Sequence, residues 1–468
     1  VIPLTAAEVA AVTGGRLVGP AHDDVTGAVV TDSRLVEHGS LFVALPGEHV
    51  DGHDFAAGAV DAGAALVLAS REVEGPRGAL PTAVVDDVPA ALGELAREVL
   101  ARLRADGGPT VVAVTGSVGK TSTKDLLAQL LAADGPTVWP ERSFNNEIGL
   151  PLTVLRAEAT TRHLVLEMGA SGLGHIEHLT RIAPPDVAIV LVVGRAHVGE
   201  FGGIEAVARA KAEIVRGLRA GGTAVLNADD SRVRAMAVDA PGPVVLFGEG
   251  PEAQVRAEQV RLDDEGRASF DLRTAGGGAR VGLQLVGEHH VHNALAAAAA
   301  CLALGLDPTV VAERLGQATP LSPHRMAVVE RPDGVTVIDD SYNANPDSVR
   351  AALKALAVRA RGRRSIAVLG EMGELGPESL QAHDEMGRLA VRLDVSRLVV
   401  VGEGARAMHL GALQEGSWGE ESRLVPDVDA AAAWLEDELR PGDVVLVKAS
   451  NSVGLWRLAD QLTGGAAR

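Results

Sequence analysis

The sequence predicts an α/β protein of three domains, and three observations carry that reading. Its 468 residues are about three times a common domain length of roughly 150 residues. Short apolar runs alternate with Ala-rich helical stretches nearly throughout, the pattern of strands joined by crossover helices in parallel sheets. Two Gly/Pro breaks interrupt the pattern, at Asp106-Gly107-Gly108-Pro109 and at Ala318-Thr319-Pro320-Leu321-Ser322-Pro323. They divide the chain into segments 1–107, 108–318 and 319–468.

Composition narrows the class. Apolar residues make up 47% of the chain but aromatics only 2%, so the cores are built from Ala, Val and Leu, and an aromatic stacking surface for single-stranded nucleic acid is not expected. The formal net charge of −19 also disfavours a nucleic-acid partner. An anionic ligand must be held by local features. The single cysteine, Cys301, excludes a disulfide framework and a cysteine metal cluster and fits a reducing, cytoplasmic setting. The longest apolar run, 294–306, is too short to span a bilayer and reads as a buried Ala-rich helix. The first 15 residues carry neither Lys nor Arg nor a hydrophobic block, so no signal peptide is expected.

In order along the middle segment, 111–114 reads as a buried strand, 121–131 as a helix, 163–166 and 187–193 as strands, 204–218 as a helix and 224–226 as a strand. This predicts a mostly parallel central sheet with helices on both faces. The last segment repeats the rhythm with strands at 335–338, 365–369, 398–401 and 444–447, a Rossmann-like pattern. The first segment is a small α/β unit.

Between the first strand and helix of the middle segment stands Thr115-Gly116-Ser117-Val118-Gly119-Lys120-Thr121-Ser122-Thr123. A glycine turn at a helix start gathers backbone N–H groups into one concavity, where the helix dipole favours phosphate. Lys120 is placed for the β- and γ-phosphates of ATP and the Thr121 hydroxyl for Mg²⁺. The spacing is short, since Gly116 and Gly119 enclose only Ser117 and Val118, and Val114 stands where a first glycine is usual.

Glu167 and His197 each follow a strand, at the end that faces the ligand crevice of a parallel sheet. Glu167 is open to two readings, a metal or water ligand and a cap for the next element; His197 is either a site residue or a hydrogen-bonded structural one. Lys211 falls on the apolar stripe of helix 204–218, with Val207, Ile214 and Val215, whereas Glu205, Arg209, Glu213 and Arg216 form a polar face spaced for ion pairs. Lysine enters such a stripe when it snorkels, or when it is paired or chemically used. In the second case its neutral amine can take up CO₂ as a carbamate that ligates Mg²⁺. Arg325 is suited to neutralise a γ-phosphate across a cleft. The run Asp339-Asp340-Ser341-Tyr342-Asn343-Ala344-Asn345-Pro346 crowds hydrogen-bonding groups at a strand end.

Together these residues resemble the Mur ligase family, ATP-dependent amide-forming enzymes of peptidoglycan precursor synthesis, over essentially the whole chain. Thr31-Asp32-Ser33-Arg34, Gly39-Ser40-Leu41-Phe42-Val43-Ala44-Leu45 and Asp51-Gly52-His53 are similar to the family's UDP-sugar module. Asn145-Asn146-Glu147-Ile148-Gly149, Glu167-Met168-Gly169-Ala170, Gly194-Arg195-Ala196-His197 and Asp340-Ser341-Tyr342-Asn343-Ala344-Asn345-Pro346 resemble the member that adds a dipeptide. The resemblance implies that D-alanyl-D-alanine is joined to UDP-N-acetylmuramoyl-tripeptide through an acyl phosphate, by a cytoplasmic monomer that neither binds nucleic acid nor enters a membrane. It implies that segment 1–107 binds the UDP-sugar, 108–318 binds ATP, and 319–468 serves ATP and the incoming amine.

By position, the resemblance implies that Gly116, Ser117, Val118, Gly119, Lys120, Thr121 and Ser122 hold the ATP phosphates. Asn293, Arg325 and Asp340 contact ATP, Asp340 at the ribose. Lys120, Glu167, His197 and Lys211 are catalytic; Thr121, Glu167, His197 and carbamylated Lys211 serve two Mg²⁺. Ser33 and Arg34 meet the uridine diphosphate. Asn345, Lys448 and Ser450 are candidates for the dipeptide or the acyl end. Two departures are noted: His290 stands where the family usually has Asn, and Asn451 where it has Arg. The other readings are another Mur-type ligase, a folylpolyglutamate-type synthase, and a P-loop ATPase switch. No Asp-rich Walker B strand supports the last.

Overall fold

Continuous apolar runs belong in strands buried on both faces, and that is where the chain puts them. The computed structural model describes residues 1–468 except 22, 48–49, 77, 195–200, 417–420 and 466–468. Three large sheets follow one another along the chain.

The first sheet orders Arg16–Val18, Thr82–Val84, Leu66–Ala69, Leu41–Val43 and Val29–Val30, all parallel except the Arg16–Val18 edge. The helix Val88–Ala105 leaves it and packs on the second unit. Asp87 caps its start, and its buried face of Leu92, Leu95, Ala96, Val99 and Leu100 joins one apolar cluster with Leu150, Val154 and Leu179. A polar clamp closes the same junction: Arg104 donates to the Pro184 carbonyl (2.9 Å) and to Asp186 (2.7 Å).

The central sheet runs Gly277–Val286, Arg267–Thr274, Val255–Leu262, Val244–Gly248, Thr223–Asn227, Val187–Val190, Thr110–Thr115, His163–Glu167, Thr137–Val138. Every neighbouring pair from Thr137–Val138 to Val255–Leu262 is parallel; the last three strands form an antiparallel meander. Alternate residues of Thr110–Thr115 enter opposite cores: Val111 and Ala113 on one face, Val112 and Val114 on the other. The expected Ala-rich helix is His290–Ala303, with Ala294 to Cys301 wholly buried. Its methyl side chains let it lie close to the helix Lys120–Ala132 and the sheet.

The third sheet orders Ala327–Glu330, Thr336–Asp339, Val444–Lys448, Ser365–Leu369, Arg397–Val401 and Ser422–Val425, parallel except for its first strand, with apolar clusters on both faces. The expected α/β class and mostly parallel sheets are therefore what the chain forms. Among the described residues no helix is long and apolar enough to cross a membrane.

Two local expectations need correction, and one element was not expected. The strand expected at 187–193 leaves the ladder after Val190, and the next residues bend to serve the glycine turn: the Val192 carbonyl accepts from Ser117 N (2.8 Å) and Val193 N donates to Asp230 (2.8 Å). The meander within 255–286 is absent from the sequence reading. Glu213 is buried, not on a polar face; its carboxylate accepts from the Gly174 and Glu177 amides (2.7 and 3.0 Å) at the start of the helix His175–Ile182. Glu205 and Arg216 pair off their helix, with Arg232 and Asp239.

Candidate active site

The strand Thr110–Thr115 lies between His163–Glu167 on one side and Val187–Val190 on the other, so the chain departs in opposite directions from it. Ligands of open parallel sheets bind at such a switch point, beyond the carboxyl ends of the strands. Gly116 to Gly119 form the turn there, and the helix Lys120–Ala132 starts from Gly119. Gly119 has φ +85°, and a Cβ on it would lie 2.4 Å from Asn293 Oδ1. Glycine is required on both counts, and the same contact brings Asn293 against the turn. Ser117 ties the turn to the neighbouring strand end, its Oγ accepting from Gly194 N at 2.9 Å.

Behind the turn stands a buried oxygen cluster. Thr121 Oγ1 donates to Glu167 Oε2 (2.9 Å) and lies 3.0 Å from Ser143 Oγ; Asn145 Nδ2 donates to Glu167 Oε1 (2.8 Å). Glu167 is only 2% exposed. Arg325 reaches in from beyond the second Gly/Pro break: its Nη2 donates to Ser143 Oγ (3.3 Å) and Thr121 Oγ1 (3.4 Å), and its guanidinium lies 4.2 Å from the Tyr342 ring centre. His324 and Met326, on either side of it, have φ of +58° and +53°. Left-handed backbone at two non-glycine residues is strained, and here it aims the guanidinium at the turn.

Cations surround this cluster at a cost in solvation. Lys120 Nζ donates to the Gly116 carbonyl (2.8 Å). Burial lowers its pKa and Arg325 adds to that, while Glu167 opposes them. Lys211, on the helix Ile204–Arg216, is 5% exposed; burial first and the Lys120 charge second push its ammonium well below the ordinary lysine value. Two cavities meet at the turn. One, of about 400 Å³, is lined by Gly119, Asn227, Phe247, Asn293, Asp340 and Lys448. The other, of about 510 Å³, is lined by Lys120, Thr121, Asn145, Glu167, Lys211 and Arg325.

Residues 27–99 match the catalytic domain of the Mur ligase family, 114–301 the Mur ligase middle domain and 324–451 the Mur ligase glutamate ligase domain. The UDP-N-acetylmuramoyl-tripeptide--D-alanyl-D-alanine ligase of Mycobacterium tuberculosis H37Rv is 50% identical, with 98% of both chains covered. The chain belongs to the Mur ligase family. Its fold matches a crystal structure of MurF from Acinetobacter baumannii at TM-score 0.86 and 32% identity, covering 99% of both chains. It also matches MurF ligase from Thermotoga maritima in complex with ADP, at TM-score 0.78 and 31% identity, covering 94% of this chain and 98% of that one.

Most of the residues singled out in this Mur ligase converge on the two cavities. Gly119, Lys120, Thr121, Ser122, Glu167, Lys211, Asn293, Arg325, Asp340, Asn345 and Lys448 line one or the other, and Ser117 and Val118 stand with them. His197 lies outside the described residues. Lys448 is 1% exposed and is held inside the protein, donating to Asp340 (2.6 Å) and to the Asn343 carbonyl (2.8 Å). Asn345 caps the helix Pro346–Arg359, accepting from Ser348 N (2.9 Å). Ser450 Oγ accepts from Gly373 N (2.8 Å). Ser33 and Arg34 line neither cavity; Arg34 is folded back on Asp32 (2.6 Å), whose carboxyl this holds down to about 2. His290, the first departure, is 1% exposed, lies with its ring centre 4.2 Å from that of His289 and tilted to it, and is 3.3 Å from the Asn293 amide nitrogen.

A further set of residues was missed by the sequence reading. Lys124, 1% exposed, contacts Asp125 (2.5 Å), the Pro140 carbonyl (2.9 Å) and Ser322 Oγ (3.2 Å), and Asp125 accepts from Ser322 N and Oγ (3.0 Å each). This anchors the break before Arg325 to the helix that begins at the turn. The signal was available: Lys124 shares a helix face with Leu127, Ala128 and Leu131, the kind of stripe position that marked Lys211.

The oxygen cluster also fits magnesium. Thr121 Oγ1 is a hard oxygen donor with two others beside it, Glu167 Oε2 at 2.9 Å and Ser143 Oγ at 3.0 Å. Among the described residues no group of three or more His, Cys, Asp or Glu could cage a metal. Magnesium needs no such cage, since it keeps waters and takes phosphate oxygens beside one or two carboxylates.

Proposed function

We propose that this Mur ligase joins D-alanyl-D-alanine to UDP-N-acetylmuramoyl-tripeptide, converting ATP to ADP and phosphate through an acyl phosphate. The observation that carries this is the buried Thr121–Glu167 pair behind the glycine turn, met by Arg325 from the segment leading into the third sheet. The names of its half-identical relatives supply the substrates. Segment 1–107 is assigned to the UDP-sugar, with Ser33 and Arg34 at the diphosphate, 108–318 to ATP, and 319–468 to ATP and the amine. The setting is the cytoplasm, with a monomer as the working unit.

A carboxylate resists attack because its charge repels nucleophiles and oxide is a poor leaving group. In the first half-reaction the tripeptide carboxylate attacks the γ-phosphorus, and ADP leaves. Two anions must meet, so the residues serve chiefly to neutralise charge and align groups. The amides of Gly116 to Ser122 and the Lys120 ammonium cradle the phosphates, and Arg325 offsets the charge from the other wall. Asn293 braces the turn at Gly119. Asp340, held by Lys448, contacts the ribose; Lys448 thus positions another residue.

Thr121, Glu167, His197 and Lys211, the last as a carbamate, would hold two Mg²⁺, whose charge would stabilise the transferring phosphoryl group. The depressed pKa of Lys211 supports this, since a neutral amine adds CO₂ and releases one proton. In the second half-reaction the dipeptide amine attacks the acyl carbonyl, and phosphate leaves. An open site would hydrolyse the acyl phosphate, so closure of the third segment over the cleft is part of the proposal. The test is phosphate release with ATP, Mg²⁺, UDP-N-acetylmuramoyl-tripeptide and D-alanyl-D-alanine together. Release that depends on all four supports the reading; none overturns it.

A further inference from the structure

The amine co-substrate needs a place of its own, and the side chains of Lys448 and Ser450 are spent on internal bonds. On the far side of Arg325 and Tyr342 lies a third cavity of about 500 Å³. It shares Thr121, Ser143, Arg325 and Tyr342 with the cavity that contains Lys120 and Glu167, so the two adjoin. Its lining suits a small zwitterion with methyl side chains. Pro323 and Trp456 supply apolar surface, Asp460 and Glu141 supply carboxylates, and Arg142 and Arg325 supply guanidiniums. Asn451, where the family usually has Arg, also faces it.

One pair in this cavity suits an ammonium group. His324 Nδ1 lies 2.8 Å from Asp339 Oδ2, and Asp339 is wholly buried. A carboxylate there accepts, so Nδ1 carries the proton and the Nε2 lone pair is left for the cavity. Nε2 is 4.0 Å from Asp460 Oδ1. One nitrogen can sit within hydrogen-bond distance of two acceptors that far apart.

We infer that this cavity binds the dipeptide amine substrate, with its ammonium between His324 and Asp460, and that His324 Nε2 takes the proton that must leave before attack. The inference rests on the ligase reading above. The ammonium gives one proton to Nε2; the freed lone pair forms the C–N bond as the C–O bond to phosphate breaks. A second proton leaves with the phosphate, and the third stays on the amide nitrogen.

Hydroxylamine separates the steps, because it is an uncharged nucleophile at neutral pH and traps the acyl phosphate as a hydroxamate without needing this base. His324→Gln, which can still donate to Asp339, is expected to lose at least 100-fold in dipeptide ligation while hydroxamate formation stays within about threefold of wild type. Trp456→Ala and Asp460→Asn are expected to raise the dipeptide KM at least tenfold, with the KM for ATP little changed. Equal loss of both products in His324→Gln would overturn the proton role and leave His324 only the support it gives Arg325. Unaltered dipeptide KM in both other variants would overturn the site. If wild type formed hydroxamate yet coupled no dipeptide, the substrate reading itself would fall, and this inference with it.

Discussion

Lys124→Met separates two roles that a buried lysine can have. The substitution keeps most of the side-chain volume and removes the charge, leaving Asp125, 6% exposed, without its cation and the Pro140 carbonyl without its donor. Orphaning a buried charge costs about 3–5 kcal/mol. Ser322 still gives Asp125 two hydrogen bonds, so the low end, about 3 kcal/mol, applies, and the lost carbonyl bond adds about 1 kcal/mol. A loss of about 4 kcal/mol is a large part of the 5–15 kcal/mol that ordinarily holds a domain folded. Adding Asp125→Asn removes the orphaned charge, and the double variant should recover to within about 2 kcal/mol of wild type. Urea unfolding followed by circular dichroism measures all three proteins. Because Ser322 lies three residues before Arg325, the single variant should also raise the ATP KM. A loss below about 1 kcal/mol for Lys124→Met, or a double variant no more stable than the single one, would refute the reasoning.

Gly119→Ala should raise the ATP KM at least tenfold, because the added Cβ meets Asn293 at 2.4 Å and takes a left-handed conformation costing roughly 1–2 kcal/mol; an unchanged KM removes the turn from the phosphate site. Lys211→Ala should abolish ligation, and short carboxylates added to the assay should partly restore it, measured as phosphate release. Failure of every such acid, with wild-type Mg²⁺ dependence, would leave Lys211 a structural residue. Burial pushes the Cys301 thiol up to about 12. Above the ordinary thiol value the unfolded chain loses this proton and the folded chain keeps it, so stability falls with rising pH. Cys301→Ala should flatten that fall by up to about 1.4 kcal/mol per pH unit in urea unfolding between about pH 9 and pH 11.

Much of the fold was legible where a strand is buried on both faces, because runs such as Val111 to Val114 need no partner to be recognised. The meander was not. Val255–Leu262 alternates apolar with charged residues only until the register shifts between Glu258 and Arg261, where Gln259 has φ +53°. That bulge breaks the period of two on which the reading depends. Glu213 was misassigned because helix spacing reports neighbours on the same helix, whereas its partners are amides of 174 and 177, brought close only by packing. The site divides the same way. The glycine turn, Glu167 and Lys211 carry local signals, whereas the pairing of Lys448 with Asp340, 108 residues apart, and the strained backbone around Arg325 exist only in the folded chain.

The chain's net charge of −19 sharpens the electrostatic problem. ATP and the UDP-sugar are both anionic, and the long-range field repels them, so attraction must come from cations concentrated at the cleft. The chain places Lys120 and Lys448 there, both ammonium groups depressed by burial, and Arg325 opposes the charge of both. Such a cluster is costly without an anion, and much of what holds it lies outside the reacting groups: Asp340 against Lys448, the Lys124–Asp125–Ser322 anchor, and the left-handed residues beside Arg325. Fixed charges aimed in advance are worth more in a dry cleft than mobile ones, because they need not reorganise as the phosphoryl group transfers. On this account, substitutions in the anchor should weaken the transition state more than they weaken nucleotide binding, since the cradle of amides survives when Arg325 shifts.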